Sequence, residues 1–303
     1  MRFKFLTVTF IVLNLLSGCF GKDCVTKQTT NPRHLKRLLK TNNCPSCNLG
    51  DADLKRANLQ EANLQGANLV NAILNGADLR GANLSETQLN WRDVDYGWGT
   101  RNSCDVDLSA SLKKTNLSNA NLSNANLRKA DLTEANLSNA NLQEAHLGEA
   151  NLSNANLSNA NLESVKMFGK STNLSQANLS QADLSQADLF QANLSQANLY
   201  QANLSQANLI SGIFKNANLE EAILKKTLLN NSNFQKANLE KADLSQSEIS
   251  NVDFRDANLL GATLPNYKKS SFQYPQQPPK LEGAIMPDGT IYKEESLKEV
   301  KKY

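Results

Sequence analysis

The stretch Ala57-Asn58-Leu59-Gln60-Glu61-Ala62-Asn63-Leu64-Gln65-Gly66-Ala67-Asn68-Leu69 sets out one rule, A-(N/D)-L-x-x, which the chain repeats with few lapses as far as Ala257-Asn258-Leu259. Leucine, or Ile, Met or Phe in its place, recurs every fifth residue at 40 centres, and at most of them an alanine stands two residues earlier. In an α-helix each five-residue step moves the apolar residue round by roughly 140°, so no stripe forms. A long strand fails too, because a period of two flips the face at every odd step. The chain must therefore turn once per repeat. A short extended segment points Ala and Leu, two apart, to one inward face, and the polar pair x-x makes the turn. Successive segments close into coils, and each coil buries what its neighbour cannot bury alone.

These residues resemble the pentapeptide-repeat family over about 215 of the 303 residues. The resemblance implies an all-β fold, a right-handed quadrilateral parallel β-helix with four pentapeptides per coil. The centres form three runs: 9 from Leu49 to Leu89, 12 from Leu112 to Met167 and 19 from Leu174 to Leu264. Four per coil gives about ten coils, a rod about 48 Å long at ~4.8 Å per coil. The solenoid is thus assigned to residues 47–264, interrupted by a loop at 90–109 and a bulge at 168–172 around Gly169. With only 6% aromatic residues, the Ala/Leu interior must carry the stability. Outside, stacked Asn and Ser predict ladders along the rod.

A stacked sheet exposes edges at both ends, and these call for caps. In residues 22–46, Asn31-Pro32 predicts the start of a short cap helix with Leu35, Leu38 and Leu39 on one face and Arg33, Lys36, Arg37 and Lys40 on the other. Residues 265–303 hold a Pro/Gln-rich linker, then Pro287-Asp288-Gly289 between apolar residues, a turn signal for a hairpin-like cap or a final partial coil. This ending resembles one common in cyanobacterial members.

Residues 1–21 read as an export signal: basic Arg2 and Lys4, then an apolar run over residues 5–16, too short for a membrane span. Leu16-Ser17-Gly18-Cys19 resembles a bacterial lipobox, which implies lipid attachment at Cys19 and a place in the cell envelope, in the periplasm or on the outer membrane. Ordinary cleavage after Gly21 is the alternative, giving a secreted or thylakoid-lumen protein. Either way Cys24, Cys44, Cys47 and Cys104 remain, an even set in an oxidising compartment, and at least one disulfide is expected. Their pairing stays open. Cys44-Pro45-Ser46-Cys47 has redox C-x-x-C spacing, but it sits at the first repeat, with Cys47 at an alanine position, rather than at a strand-to-helix junction.

Charge bears on function. Residues 47–264 hold 17 Lys and Arg against 23 Asp and Glu, a net −6. Quinolone-resistance members imitate duplex DNA and bind topoisomerases, and such a mimic over ~48 Å should carry roughly 28 negative charges. Six falls far short, and no basic patch with interleaved aromatics points to nucleic acid as a partner. His34 and His146, the two histidines, have no orienting third group in the sequence, so no catalytic residue, metal site or cofactor is assigned. The chain reads as a non-enzymatic scaffold or interaction module for an envelope protein or surface ligand, with a homo-oligomer as one form. Membrane contact would come through Cys19.

Two features carry candidate contacts. The 90–109 loop holds both tryptophans, and Trp91, Arg92, Tyr96, Trp98 and Arg101 form a candidate binding loop for a protein or a sugar. A structural plug is the competing reading. Phe190 and Ile210 hold equivalent positions twenty residues apart and should stack, with Tyr200 on the opposite side.

Overall fold

The computed structural model describes residues 30–89, 109–265 and 277–293. Its regular part is a parallel ladder in which the residue before each centre pairs with its counterpart twenty residues on, as Asn43 with Asn63, Asn178 with Asn198 and Asn238 with Asn258. Each coil therefore holds four pentapeptides. We number the faces from the one begun by Asn43: first (Asn43), second (Asn48), third (Asp53) and fourth (Asn58).

The five N–H groups of one repeat explain the sequence rule. In the repeat centred on Leu194, Asn193 N–H donates to Thr172 O of the preceding coil at 3.0 Å, and Leu194 N–H to Ile213 O of the following coil at 2.7 Å. Gln196 N–H donates to Lys215 O at 2.9 Å, and Ala197 N–H closes the turn onto Leu194 O at 3.1 Å. Ser195 N–H takes the Asn193 side-chain Oδ1 at 3.0 Å instead of a carbonyl. A buried N–H must find an acceptor, so Asn or Asp belongs before the leucine, where its short side chain reaches the N–H two residues on. The same asparagines stack. On the fourth face an uninterrupted amide ladder joins Asn116, Asn136, Asn156, Asn178, Asn198, Asn218, Asn238 and Asn258, each Nδ2 donating to the preceding Oδ1 at 3.0–3.2 Å.

The second residue of each x-x pair sits at positive φ, as at Arg56 (φ 55), Gln206 (φ 62) and Lys226 (φ 59). A type II turn demands this of its third residue. The interior is the predicted one, with Ala and Leu buried along the rod. Inside the third face Phe214, Phe234 and Phe254 replace leucine in successive coils, with ring centroids 4.5 and 5.5 Å apart. Gly212 stands at the alanine position beside Phe214, where a Cβ would lie 2.9 Å from the ring. The large residue occupies space the small one vacates.

The ladder begins one pentapeptide before the boundary at residue 47. Cys44 takes a leucine site, fully buried, and Asn43 already pairs with Asn63. Helix α1 (Pro32–Thr41) lies on this first coil, opened by the Asn31 side chain and closed by left-handed Asn42. Leu38 is buried and Leu35 half-buried. Leu39 is 55% exposed, so it leaves the apolar face to which the sequence pattern assigned it. At the other end Lys280 pairs with Asp253 and Ile285 with Asn258, and Ile291 returns antiparallel to Ile285. Among the described residues no helix is long and apolar enough to cross a membrane.

Candidate functional site

The register breaks and a column of exposed apolar side chains fall together. Across the first break Ile73 pairs with Ser111, and Ala110 N–H donates to Leu89 O at 2.9 Å. That bond elsewhere closes a two-residue turn, so residues 90–109 stand where one turn pair would be, at the corner after the second face. The bulge falls at the same corner three coils on, where Asn151 pairs with Asn173 across two additional residues.

The first turn position of this corner is Gly50, Val70, Arg128, Gly148, Phe168, Phe190, Ile210, Asn230 and Ser250 in successive described coils, whereas the corner after the fourth face carries Gln60, Arg80, Ser118, Ser138, Ser158, Ser180, Tyr200, Glu220, Glu240 and Leu260, with no two apolar residues in adjacent coils. Phe168 is 41% exposed, Phe190 37%, and Ile210 half-buried. Gly169 N–H donates to Phe190 O at 2.8 Å and Gln191 N–H to Ile210 O at 3.0 Å, which fixes the three as neighbours in one column. Past the turn, Ile213 on the third face is 40% exposed. The result is an apolar ridge along one edge of a rod otherwise covered mostly by amides and hydroxyls. Gly148 underlies it, with a Cβ position only 3.8 Å from the Phe168 ring. The polar flank includes Arg128 paired to Glu149 at 3.0 Å, and Lys166, whose ammonium donates to His146 Nε2 at 3.0 Å.

The residues singled out in the sequence distribute unevenly over this geometry, and several fall outside it. Trp91, Arg92, Tyr96, Trp98, Arg101, Cys19, Cys24 and Cys104 lie outside the described residues. Cys44 and Cys47 are joined in a disulfide across the first turn, linking a leucine site to the next alanine site. His34 belongs to the cap and His146 to the second face, so the two are not brought together. Phe168 escapes a count by twenties because it stands 22 residues from Phe190. A signal does exist: subtracting the two bulge residues restores the column.

The chemistry is that of a surface. Among the described residues no group of His, Cys, Asp or Glu could hold a metal ion. Local donors hold several carboxyls below the usual carboxylate range, Asp78 through the Arg80 guanidinium, Asp253 through Arg255 and Asp243 through the Ser245 hydroxyl. Such groups stay ionised, the opposite of what a general acid needs at neutral pH.

The pentapeptide-repeat sequence profile matches at residues 47–90, 109–139, 135–169, 170–206, 213–251 and 232–266, well over half of the chain. The chain belongs to the pentapeptide-repeat family. Its rod is accordingly a right-handed quadrilateral β-helix. Among solved structures it is similar to HetL, a pentapeptide repeat protein involved in heterocyst differentiation regulation from the cyanobacterium Nostoc sp. strain PCC 7120, at 29% identity over 87% of this chain and 100% of HetL, with a TM-score of 0.53. QnrB1, a plasmid-mediated fluoroquinolone resistance protein, matches at 18% identity over 73% of this chain and 91% of its own, TM-score 0.39. Rfr23 of the cyanobacterium Cyanothece 51142 matches at 26% over 66% and 96%, TM-score 0.18. No curated protein matches the chain.

Proposed function

We propose that this is a non-catalytic, exported interaction module, a rigid rod that presents the Phe168, Phe190, Ile210 and Ile213 ridge to a protein partner of the cell envelope. The observation that carries the reading is the ridge itself: three apolar side chains in one column, where other exposed apolar residues of the array, such as Ile223 and Leu260, stand apart from it. Aromatic side chains at an exposed, rigid edge are suited to serve as anchors of a protein interface. The topoisomerase-directed alternative has little support, since the array carries a net −6 where a duplex mimic of this length would need roughly 28 negative charges.

The test is a Phe168→Ser/Phe190→Ser chain that keeps its melting temperature and β-type far-ultraviolet spectrum. It should lose the partner that the native chain retains from envelope extracts, and undiminished retention overturns the assignment. A second reading, a sugar or surface ligand held by Trp91, Tyr96 and Trp98, draws on the sequence between Leu89 and Ala110, two residues that bracket this same corner. Deleting residues 92–105 separates the two: partner retention survives if the ridge acts alone.

Export and lipid attachment rest on Arg2, Lys4, the apolar run and Leu16-Ser17-Gly18-Cys19. Mass spectrometry of the mature amino terminus should find diacylglycerol on Cys19, and Cys19→Ala should release the chain from membranes. A soluble mature chain beginning at Lys22 refutes lipidation.

A further inference from the structure

Helix α1 has two unlike faces. His34, Leu35 and Leu38 turn toward the first coil, and Arg33, Lys36, Arg37 and Lys40 are all exposed. At 100° per residue these four cations centre roughly 160° from the buried face. The helix contains no acidic residue, and none of the four cations takes part in an ion pair among the described residues. Leu39 lies at the margin of the basic face, 55% exposed.

The charge is confined to one end. Residues 30–62 hold six Lys and Arg against three Asp and Glu, whereas the remaining described coils, residues 63–89 and 109–265, hold 13 against 16. The nearest lysine of the first coil, Lys55, is already engaged with Asp53 at 3.6 Å. Four cations without an ion pair among the described residues, on a ten-residue helix with an apolar side chain beside them, form a small basic platform at the end of an acidic rod.

We propose that the outer face of α1 docks on an anionic lipid surface. The partner follows from charge complementarity and from what surrounds the platform. A negatively charged bilayer offers a broad field that one short helix can meet, with phosphates for the cations and an acyl boundary for Leu39. A nucleic-acid duplex needs a basic track along the protein, and here the track ends within one coil at Asp51, Asp53 and Glu61. The docking does not depend on lipid at Cys19. It adds to such an anchor, since the cations attract anionic headgroups whether or not acyl chains are inserted beside them.

The experiment compares binding of the full chain to phosphatidylcholine vesicles and to vesicles with 30% phosphatidylglycerol. Each cation near the surface is worth about fivefold in affinity, so Arg33→Gln/Lys36→Gln/Arg37→Gln/Lys40→Gln should lose roughly 10²–10³-fold on the anionic vesicles and little on the neutral ones. A control with four distal cations removed, Lys215→Gln/Lys225→Gln/Lys226→Gln/Lys236→Gln, should bind as the native chain does. Raising the salt should erase most of the difference. If the quadruple variant melts early, Arg33→Gln/Arg37→Gln carries the same test, with a loss of about 25-fold. Equal binding of native and α1-variant chains, an equal loss in the distal control, or charge-dependent binding to duplex DNA without binding to vesicles overturns the proposal. These outcomes are independent of the ridge, because every variant leaves Phe168 and Phe190 in place.

Discussion

The Nδ1 atom of His34 accepts a hydrogen bond from the backbone N–H of Asn48 at 2.9 Å. In every later coil that N–H donates to a carbonyl of the coil before, as Asn68 N–H does to Cys47 O at 2.9 Å. Among the described residues the first coil has no predecessor, and the imidazole supplies the acceptor in its place. Asn31 N–H meets the adjoining Asn48 O at 3.1 Å, and the Thr41 hydroxyl accepts from Asn43 N–H at 3.2 Å. The helix thus satisfies the edge that a stacked sheet would otherwise offer to another chain.

His34→Ala should therefore leave Asn48 N–H without its partner, at a cost of about 1–3 kcal/mol. Amide hydrogen exchange checks this. Faster exchange at Asn48, with the middle coils unchanged, is the expected result.

The amide ladder on the fourth face makes a second prediction. Asn198 donates to Asn178 Oδ1 at 3.1 Å, and its own Oδ1 accepts from Asn218 Nδ2 at 3.1 Å and from Tyr200 N–H at 3.2 Å. Asn198→Ala removes all three bonds and should cost about 1–3 kcal/mol in urea unfolding. Asn198→Asp keeps both acceptor bonds but turns a carboxylate toward Asn178 Oδ1, so its loss should be smaller than that of the alanine variant.

The turns make a third. Gln206 is exposed and held at φ 62, a left-handed conformation costly for a residue with a Cβ. Gln206→Gly should raise stability by up to about 1 kcal/mol, while β-branched Gln206→Val should lower it. Thermal melting of the two variants should move in opposite directions.

How far the sequence could be read follows from where the information lies. The five-residue phase is local, so the inward Ala and Leu and the outward Asn could be read without a structure. Contacts between coils are twenty residues apart and legible only while the count holds. It fails at the bulge, where two additional residues hide the alignment of Phe168 with Phe190. Cys44 was hidden for another reason: a cysteine followed by Pro45 does not look like a leucine site, although it is buried as one. Leu39 misled because three leucines on a short helix suggest one face, while the first coil covers only the side that holds His34, Leu35 and Leu38.

The central claim, that the corner after the second face is where this rod meets its partner, is tested most directly by site-specific photocrosslinking in the producing cell. A benzophenone amino acid replaces Phe190 in one chain and Ser180 in another, so that the probes stand on opposite corners. The account predicts a discrete adduct from position 190, lost when Phe168→Ser and Ile210→Ser are added, and none from position 180. Adducts of equal yield from both positions, or an adduct from position 180 alone, would contradict it.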